Sequence, residues 1–141
     1  MDAAPSPSTS GLFAEVLQAF QVDGDVLRVE PWGAGHIHDT WRVTSADGTS
    51  SRRTIVQRFN ASVFPDPRGV SASILRVTRH LRARLRERGA GDLERRVLRV
   101  LTTRAGEGCL RRDDGSWWRG FPFVEGAVSH DVAPSSAAPR F

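Results

Sequence analysis

The sequence predicts an α+β fold, in which a five-stranded antiparallel sheet packs on one long helix and is preceded by a short N-terminal helix. Three observations predict it. Short runs of alternating apolar and polar residues are separated by turn residues, one long stretch has apolar residues at helical spacing, and a strong hairpin turn, Asp113-Asp114-Gly115, lies near the end. The segments follow the order helix, three strands, long helix, and then two or three strands, which is typical of a helix layer on a sheet.

The N-terminal segment predicts a leader followed by a helix. The first ten residues are rich in Pro, Ser and Ala, and we expect them to be disordered. Ser8, Thr9 or Ser10 can cap a helix over Gly11–Phe20, where apolar residues recur at helical spacing.

Three runs predict antiparallel strands joined by turns: Val26–Val29, Trp41–Thr44 and Arg53–Phe59. The stretch Gly33–Thr40 connects the first two, and Ala46-Asp47-Gly48 forms the turn after the second. We therefore expect a three-stranded meander with a glycine-containing loop at its first bend.

The longest helix is predicted after the segment that contains Pro65 and Pro67, and Gly89-Ala90-Gly91 ends it. We expect its apolar stripe to pack on the sheet and its arginine-rich face to be solvated. The stripe consists of Val70, Ile74, Val77, Leu81 and Leu85, and the other face carries Arg76, Arg79, Arg82, Arg86 and Arg88.

The remaining strands are predicted at Val97–Thr103 and on either side of the Asp113-Asp114-Gly115 turn, at Gly108–Arg111 and Ser116–Val124. Both aspartates are interpreted as turn residues rather than as a catalytic pair. Cys109 is interpreted as a small apolar residue of a strand.

Composition excludes several classes of protein. A chain of 141 residues with 39% apolar residues and a mean hydropathy of -0.35 is typical of a single soluble domain. Its beginning does not resemble a secretory signal, and no run of residues is long and apolar enough to cross a membrane. Because Cys109 is the single cysteine, it cannot form an internal disulfide, and we expect a reducing cytoplasm.

The charge of the chain comes from arginine. All 20 basic residues are arginine, the net charge is +4 and the isoelectric point is near 11.0. A nucleic-acid partner is one interpretation of this excess, and a coding bias that writes arginine for solvated cations is the other. The 16 acidic residues and the lack of aromatic residues interleaved with arginine favour the second interpretation. Without lysine, any phosphate-binding cation must be a guanidinium.

The stretch around Gly33 and Gly35 is the first candidate site. Glycines at a bend between strands let the backbone approach a ligand, as in loops that hold polyphosphates, although most such pairs only make a tight hairpin. The pair His36 and His38, followed by Asp39, also suggests a metal, but no third and fourth ligand lies at a useful spacing, so no metal site is predicted.

Five segments in order resemble the aminoglycoside phosphotransferase superfamily, which has a protein-kinase-like fold, and within it the N-acetylhexosamine kinase-like subgroup. They are Gly35–Val43, Ile55–Asn60, Val63–Pro67, Ile74–Leu81 and Asp114–Gly126. The resemblance implies that residues 11–125 form the small, nucleotide-binding lobe of such an enzyme. It implies that residues 126–141 are the hinge or tail at which the large lobe begins.

The resemblance further implies that the family's activity is transfer of the γ-phosphate of ATP to a hydroxyl of a sugar or a similar molecule. By its motifs, Gln57 or Arg58 meets the α- and β-phosphates, with the choice depending on strand register. The resemblance places the segment between the two lobes, which offers backbone groups to the adenine, at Phe123, Val124 and Glu125. The loop over the phosphates consists of Gly33, Gly35, His36, Ile37, His38, Asp39 and Thr40.

The residues that perform the transfer in that family are not in this sequence. The family's catalytic loop has a His-x-Asp motif followed by Asn, and a second Asp holds Mg²⁺, but no His-x-Asp occurs here. The helix position that pairs with the strand cation reads Ser71-Ala72-Ser73, without a carboxylate. We therefore predict no catalytic residue and no Mg²⁺ ligand in this chain.

The expected function is that of a truncated or split ATP-binding lobe, inactive alone, whose partner is a separately encoded large lobe. Two alternatives stay open. One is a non-catalytic regulatory or interaction module with the same fold, and the other is a small basic nucleic-acid-binding protein.

Overall fold

The computed structural model describes residues 7–128, and these form an α+β fold with a five-stranded antiparallel sheet of strand order β1-β2-β3-β5-β4. The predicted α+β class and the five-stranded antiparallel sheet are confirmed. The helices are α1 (Pro7–Ala19), α2 (Pro67–Glu87) and α3 (Leu93–Arg96), and the strands are β1 (Asp25–Pro31), β2 (Asp39–Ala46), β3 (Ser51–Arg58), β4 (Leu110–Arg111) and β5 (Trp117–Pro122). Most of the predicted leader and the tail after residue 128 lie outside the described residues.

Helix α1 starts earlier than predicted and covers one face of the sheet. It begins at Pro7 rather than Gly11, because proline is well suited to the first turn of a helix, so the three candidate capping residues lie inside the helix. Phe13 contacts the rings of Trp41 and Trp118 edge-on, with centroids 5.3 and 5.9 Å away. The buried core contains Phe13, Val16, Leu17, Phe20, Val22, Val43, Val56 and Trp118.

The register of the sheet divides the strand residues between two faces. Directly opposed residues of an antiparallel pair lie on the same face, and the pairs Trp41–Val56 and Val43–Thr54 lie under α1. We call this the covered face. The other face, here called the open face, carries the opposed pairs Thr40–Gln57, Arg42–Ile55, Ile55–Phe121 and Gln57–Arg119.

Helix α2 has the predicted ends but buries a different side. Asp66 caps its start, accepting a hydrogen bond from the Gly69 amide at 3.0 Å, and Gly89 follows its end with a φ of +67°. The prediction that the apolar stripe packs on the sheet is wrong for its central residues, since Val77 is 54% exposed and Leu81 is 46% exposed.

The buried side of α2 meets a loop segment instead of a sheet face. Ser71 and Leu75 are buried there. They contact the segment around Gly108 so closely that a Cβ atom at Gly108 would lie 3.4 Å from the Ser71 carbonyl oxygen and 3.7 Å from the Leu75 Cβ. In the described residues, α2 therefore packs on this segment rather than on a sheet face.

The predicted strand Val97–Thr103 is not formed. This segment is irregular, although Val97 and Val100 are buried, and it is joined to β5 by a hydrogen bond from the Leu101 amide to the Gly120 carbonyl at 3.0 Å. The short helix α3, which was not predicted, precedes it. The segment has the apolar pattern of a strand because some of its residues are buried, but it does not form a continuous series of backbone hydrogen bonds with a neighbouring strand.

The predicted hairpin is confirmed, and it supplies the fourth and fifth strands. β4 pairs with β5 across the Asp113-Asp114-Gly115 turn. The Asp114 carboxylate accepts a hydrogen bond from the Ser116 amide at 2.9 Å, and Gly115 has a φ of +83°. Cys109, just before β4, is buried, and this burial raises the pKa of its thiol.

None of the helices in the described part of the chain combines the length and apolarity that a bilayer span requires.

Candidate functional site

The glycine loop, residues 32–38, connects β1 to β2 and is exposed except at His38. The Trp32 amide donates a hydrogen bond to the Thr40 carbonyl at 2.9 Å, which closes the base of the loop. Gly33 has a φ of +80°, and a Cβ atom added at Gly33 or at Gly35 would meet no described heavy atom within 4 Å outside its chain neighbours. The loop backbone is therefore accessible to a ligand from solvent, and the Ile37 side chain is 53% exposed rather than buried in the core.

His38 attaches the glycine loop to the chain that follows β3. Its ring lies 5.3 Å from Phe59 and 5.1 Å from Phe64, and its Nδ1 atom accepts a hydrogen bond from the Asn60 amide at 3.1 Å. Burial and then the positive charge of Arg119 lower the pKa of His38, against a smaller opposing effect of Asp39. The Nδ1 lone pair is thus already used by the protein, which argues against a metal at this position.

A row of hydrogen bonds crosses the open face beside the loop. The Gln57 side-chain Nε2 donates a hydrogen bond to the Thr40 hydroxyl at 3.0 Å, and the Arg119 Nε donates one to the Gln57 side-chain Oε1 at 2.9 Å. The Arg119 guanidinium lies 4.7 Å from the centre of the Phe59 ring, and its partial burial lowers its pKa. Gln57 therefore orients a half-buried cation at the base of the glycine loop.

Arg58 lies on the covered face, away from this row. It forms an ion pair with Asp39 at 2.5 Å, and its guanidinium lies 5.8 Å from the Trp41 ring centre and 6.0 Å from that of Trp118. The register that the sequence left open thus places Gln57, and not Arg58, on the open face. Asp39 and Arg58 are occupied with each other.

An aromatic cleft of about 270 Å³, here called the apolar cleft, lies on the open face between the glycine loop and the end of β5. The Trp32 and Phe123 rings meet edge-on with centroids 5.3 Å apart. Arg42 lies 3.9 Å from the Trp32 ring centre and is held by Glu30 at 3.0 Å. The cleft is lined by Trp32, Ile55, Leu98, Phe121, Pro122, Phe123, Val124 and Ala127.

The residues after β5 present backbone groups at the edge of this cleft. The Phe123 backbone amide donates a hydrogen bond to the Arg53 carbonyl at 3.1 Å. The Arg53 Nε and Nη2 atoms donate hydrogen bonds to the two Glu125 carboxylate oxygens. The Glu125 backbone carbonyl accepts a hydrogen bond from the Arg95 side chain at 2.8 Å. Within residues 7–128, the Val124 amide has no acceptor, so it is a donor available to a bound molecule.

Several residues of this site were not predicted from the sequence: Trp32, Arg42, Ile55, Leu98, Arg119, Phe121, Pro122 and Ala127. A signal for some of them was present, because residues two apart on a strand share a face and Ile55 is two residues before Gln57. Arg119 and Phe121 follow the same rule relative to each other. What the sequence did not contain was the pairing of β3 with β5, which brings Arg119 opposite Gln57.

The arrangement can bind a flat apolar ring and an anion side by side, because the apolar cleft and the Arg119 guanidinium share the open face. In the described part of the chain, no group of three or more His, Cys, Asp or Glu side chains could hold a metal ion. A comparison of the chain with protein-family models finds no match.

Proposed function

We propose that this chain is the nucleotide-binding lobe of a kinase-like phosphotransferase that acts on a sugar, an amino sugar or a similar small molecule. The proposal assigns it to the aminoglycoside phosphotransferase superfamily and to the N-acetylhexosamine kinase-like subgroup, on the sequence motifs given above. The structural observation that supports it is an apolar cleft on the same sheet face as a guanidinium that is oriented beside a glycine loop.

The apolar cleft supplies the features that an adenine ring requires. Ile55, Phe121 and Phe123 offer apolar and aromatic surface, and the Val124 amide is a donor for a ring nitrogen. Glu125 contributes by holding Arg53, which fixes the chain after β5, rather than by contacting the ligand itself.

The phosphate groups of ATP are assigned to Arg119 and to the amides of the glycine loop. Phosphate oxygens are bound well by a guanidinium, which donates two parallel hydrogen bonds, and by amides that converge in a glycine-containing loop. Gln57 positions Arg119, and His38 holds the loop near it. Arg58 has no part in this assignment because it faces the other way.

The transfer step is assigned to residues outside this chain. Phosphoryl transfer requires a carboxylate that orients the acceptor hydroxyl, and Mg²⁺ ligands that are Asp or Asn side chains. The described residues contain no group of three or more His, Cys, Asp or Glu side chains that could hold a metal ion, so Mg²⁺ and the acceptor are assigned to a large lobe outside residues 7–128. The chain by itself is proposed to bind the nucleotide only.

Substitution of Arg119 tests the proposal directly. We expect Arg119→Gln to weaken ATP binding to the full chain by about tenfold or more, since hydrogen bonds to charged groups contribute about 1.5–3 kcal/mol. Isothermal titration calorimetry with ATP and with adenosine measures this effect. Adenosine, which has no phosphate, should bind equally to the variant and to the parent chain.

Arg58→Gln is the matched control, because it removes the same charge from the adjacent strand on the covered face. It should leave ATP affinity unchanged to within about twofold. The proposal is contradicted if ATP does not bind at all, or if both substitutions weaken it equally.

An exposed side of α2 favours a second candidate function, that of a non-catalytic interaction module with the same fold. Val77 and Leu81 lie on the side of α2 that is largely exposed in the described part of the chain. The two candidates differ in ATP binding, which the interaction module does not require.

A further inference from the structure

A second cavity, of about 650 Å³, lies between α2, residues 98–102, the end of α1 and the start of β3. We call it the arginine cleft. It touches the apolar cleft only through Leu98 and Pro122. Six of the residues that line it are arginines and none is acidic; the arginines are Arg52, Arg53, Arg79, Arg82, Arg86 and Arg99.

Half of these arginines are neutralised by carboxylates that lie outside the cleft. Arg52 pairs with Asp47 at 3.5 Å, Arg82 pairs with Glu94 at 2.5 Å, and Arg53 pairs with Glu125. In each pair the guanidinium lines the cleft, whereas the carboxylate is not part of its lining.

The other half have no ion-pair partner in the described part of the chain. These are Arg79 and Arg86 of α2 and Arg99 of the facing segment. Like charges that face one cavity repel one another, and a bound anion removes this repulsion while gaining charge-assisted hydrogen bonds. The cleft therefore favours anions over neutral molecules.

The walls of the cleft are connected to each other, so its shape is set before a ligand binds. The Gln21 side chain donates a hydrogen bond to the Thr102 carbonyl at 3.0 Å and joins the end of α1 to the far wall. Arg82, whose side chain is only 15% exposed, donates to the carbonyls of Leu93 and Val97 at 3.5 Å and joins α2 to the same wall. A preformed site loses less conformational entropy on binding.

We propose that the arginine cleft binds a small anion that carries two or more linked phosphate groups. Guanidinium groups on two opposite walls match several phosphate oxygens better than one carboxylate. Phe20, Leu75 and Val100 add apolar surface beside the cations, so an organic phosphate is accommodated as well as an inorganic one. The site is separate from the nucleotide site proposed above and does not depend on it.

Tripolyphosphate is the probe for the first experiment, since it carries the phosphates without a base or sugar. We expect it to bind the arginine cleft of the full chain and to raise the melting temperature. In the variant Arg79→Gln/Arg86→Gln/Arg99→Gln, calorimetry should show binding at least about tenfold weaker, since each lost charge-assisted pair contributes more than a neutral hydrogen bond. These side chains are exposed, so the variant should fold, and Arg99→Gln alone should show a smaller loss of the same kind.

The matched control is Arg76→Gln/Arg96→Gln/Arg104→Gln, which removes the same charge from exposed positions outside the cleft. It should bind tripolyphosphate as the parent chain does. Equal weakening in both triple variants, or no saturable binding, overturns the proposal. Stronger binding of a single-stranded oligonucleotide, lost equally in both variants, also overturns it and indicates a diffuse nucleic-acid surface.

Combining the cleft variants with Arg119→Gln separates the two sites and the two sources of phosphate. In Arg119→Gln the arginine cleft should still bind tripolyphosphate, and in the cleft variant ATP should still bind at the apolar cleft. If ATP binds the arginine cleft of Arg119→Gln more tightly than tripolyphosphate, its ligand is a nucleotide, and equal affinity shows that the phosphates alone are recognised. Loss of tripolyphosphate binding in Arg119→Gln alone contradicts a separate site.

Discussion

His38 connects the pH of the solution to the stability of the glycine loop. Its Nδ1 atom accepts a hydrogen bond from the Asn60 amide, and a protonated ring would lose this bond. The pKa of His38 in the folded chain lies below the ordinary value of 6.5, lowered by burial and Arg119 more than it is raised by Asp39. The unfolded chain therefore takes up this proton first as the pH falls, and the folded state becomes less stable.

We predict that the free energy of unfolding decreases as the pH is lowered through 6.5, and that His38→Asn reduces this decrease. An asparagine side-chain oxygen accepts the Asn60 hydrogen bond without titrating. Urea denaturation between about pH 7.5 and 5.5, above the range where most carboxylates titrate, measures the effect.

His36→Asn is the control for this prediction, because His36 is exposed in the same loop. It should keep the pH dependence of the parent chain. If His36→Asn and His38→Asn behave alike, the pH dependence does not come from the contact between His38 and Asn60.

At the scale of elements, the apolar stripe that the sequence of α2 shows is not the side of the helix that is buried. The apolar spacing was correctly identified as helical, but the side of α2 that is buried carries Ser71 and Leu75 rather than Val77 and Leu81. The spacing of residues defines a helix, whereas the position of its neighbours defines which side is buried.

We predict that Leu75→Ala lowers the free energy of unfolding by about 2 kcal/mol or more, since it removes buried methyl groups and leaves a cavity beside Val100 and Gly108. Leu81→Ala should change it by less than about 0.5 kcal/mol, because the Leu81 side chain is nearly half exposed. Both changes replace leucine by alanine in the same helix, so the difference in helix propensity cancels. Chemical denaturation of the two variants measures the difference, and equal losses would contradict the assignment of the Leu75 side as the buried side of α2.

At the scale of the whole molecule, we expect the proposed sites to bind ligands without transferring phosphate. The sequence has no His-x-Asp motif, and the described residues form no metal cluster. We predict that the purified chain, with ATP and Mg²⁺, phosphorylates no N-acetylhexosamine or other amino sugar above the background of a boiled sample. Transfer of labelled phosphate measures this, and robust turnover would show that the transfer step does not need a second lobe.

Part of the candidate site consists of residues that the sequence also singled out, and the part that could not be predicted depends on strand pairing. The position of Gly33 and Gly35 at a bend between two strands predicted the loop, and the resemblance to the family predicted Gln57 and Phe123 as site residues. Arg119 could not be assigned, because its partner Gln57 is 62 positions away and is brought opposite it only by the β3–β5 pairing. The resemblance to the phosphotransferase superfamily stays a prediction.

The sequence by itself determined the order of α1, β1, β2, β3 and α2, the hairpin turn at Asp114 and the place of the glycine loop between β1 and β2. These features depend on residues close together in the chain, through the periods of helix and strand and the backbone preferences of Gly, Pro and Asp. Only the tertiary structure decided that Gln57 rather than Arg58 lies on the open face, that α2 buries Leu75, and that the segment 97–103 forms no strand. The physical reason is that a face is defined by what packs against it, and those partners come from distant parts of the chain.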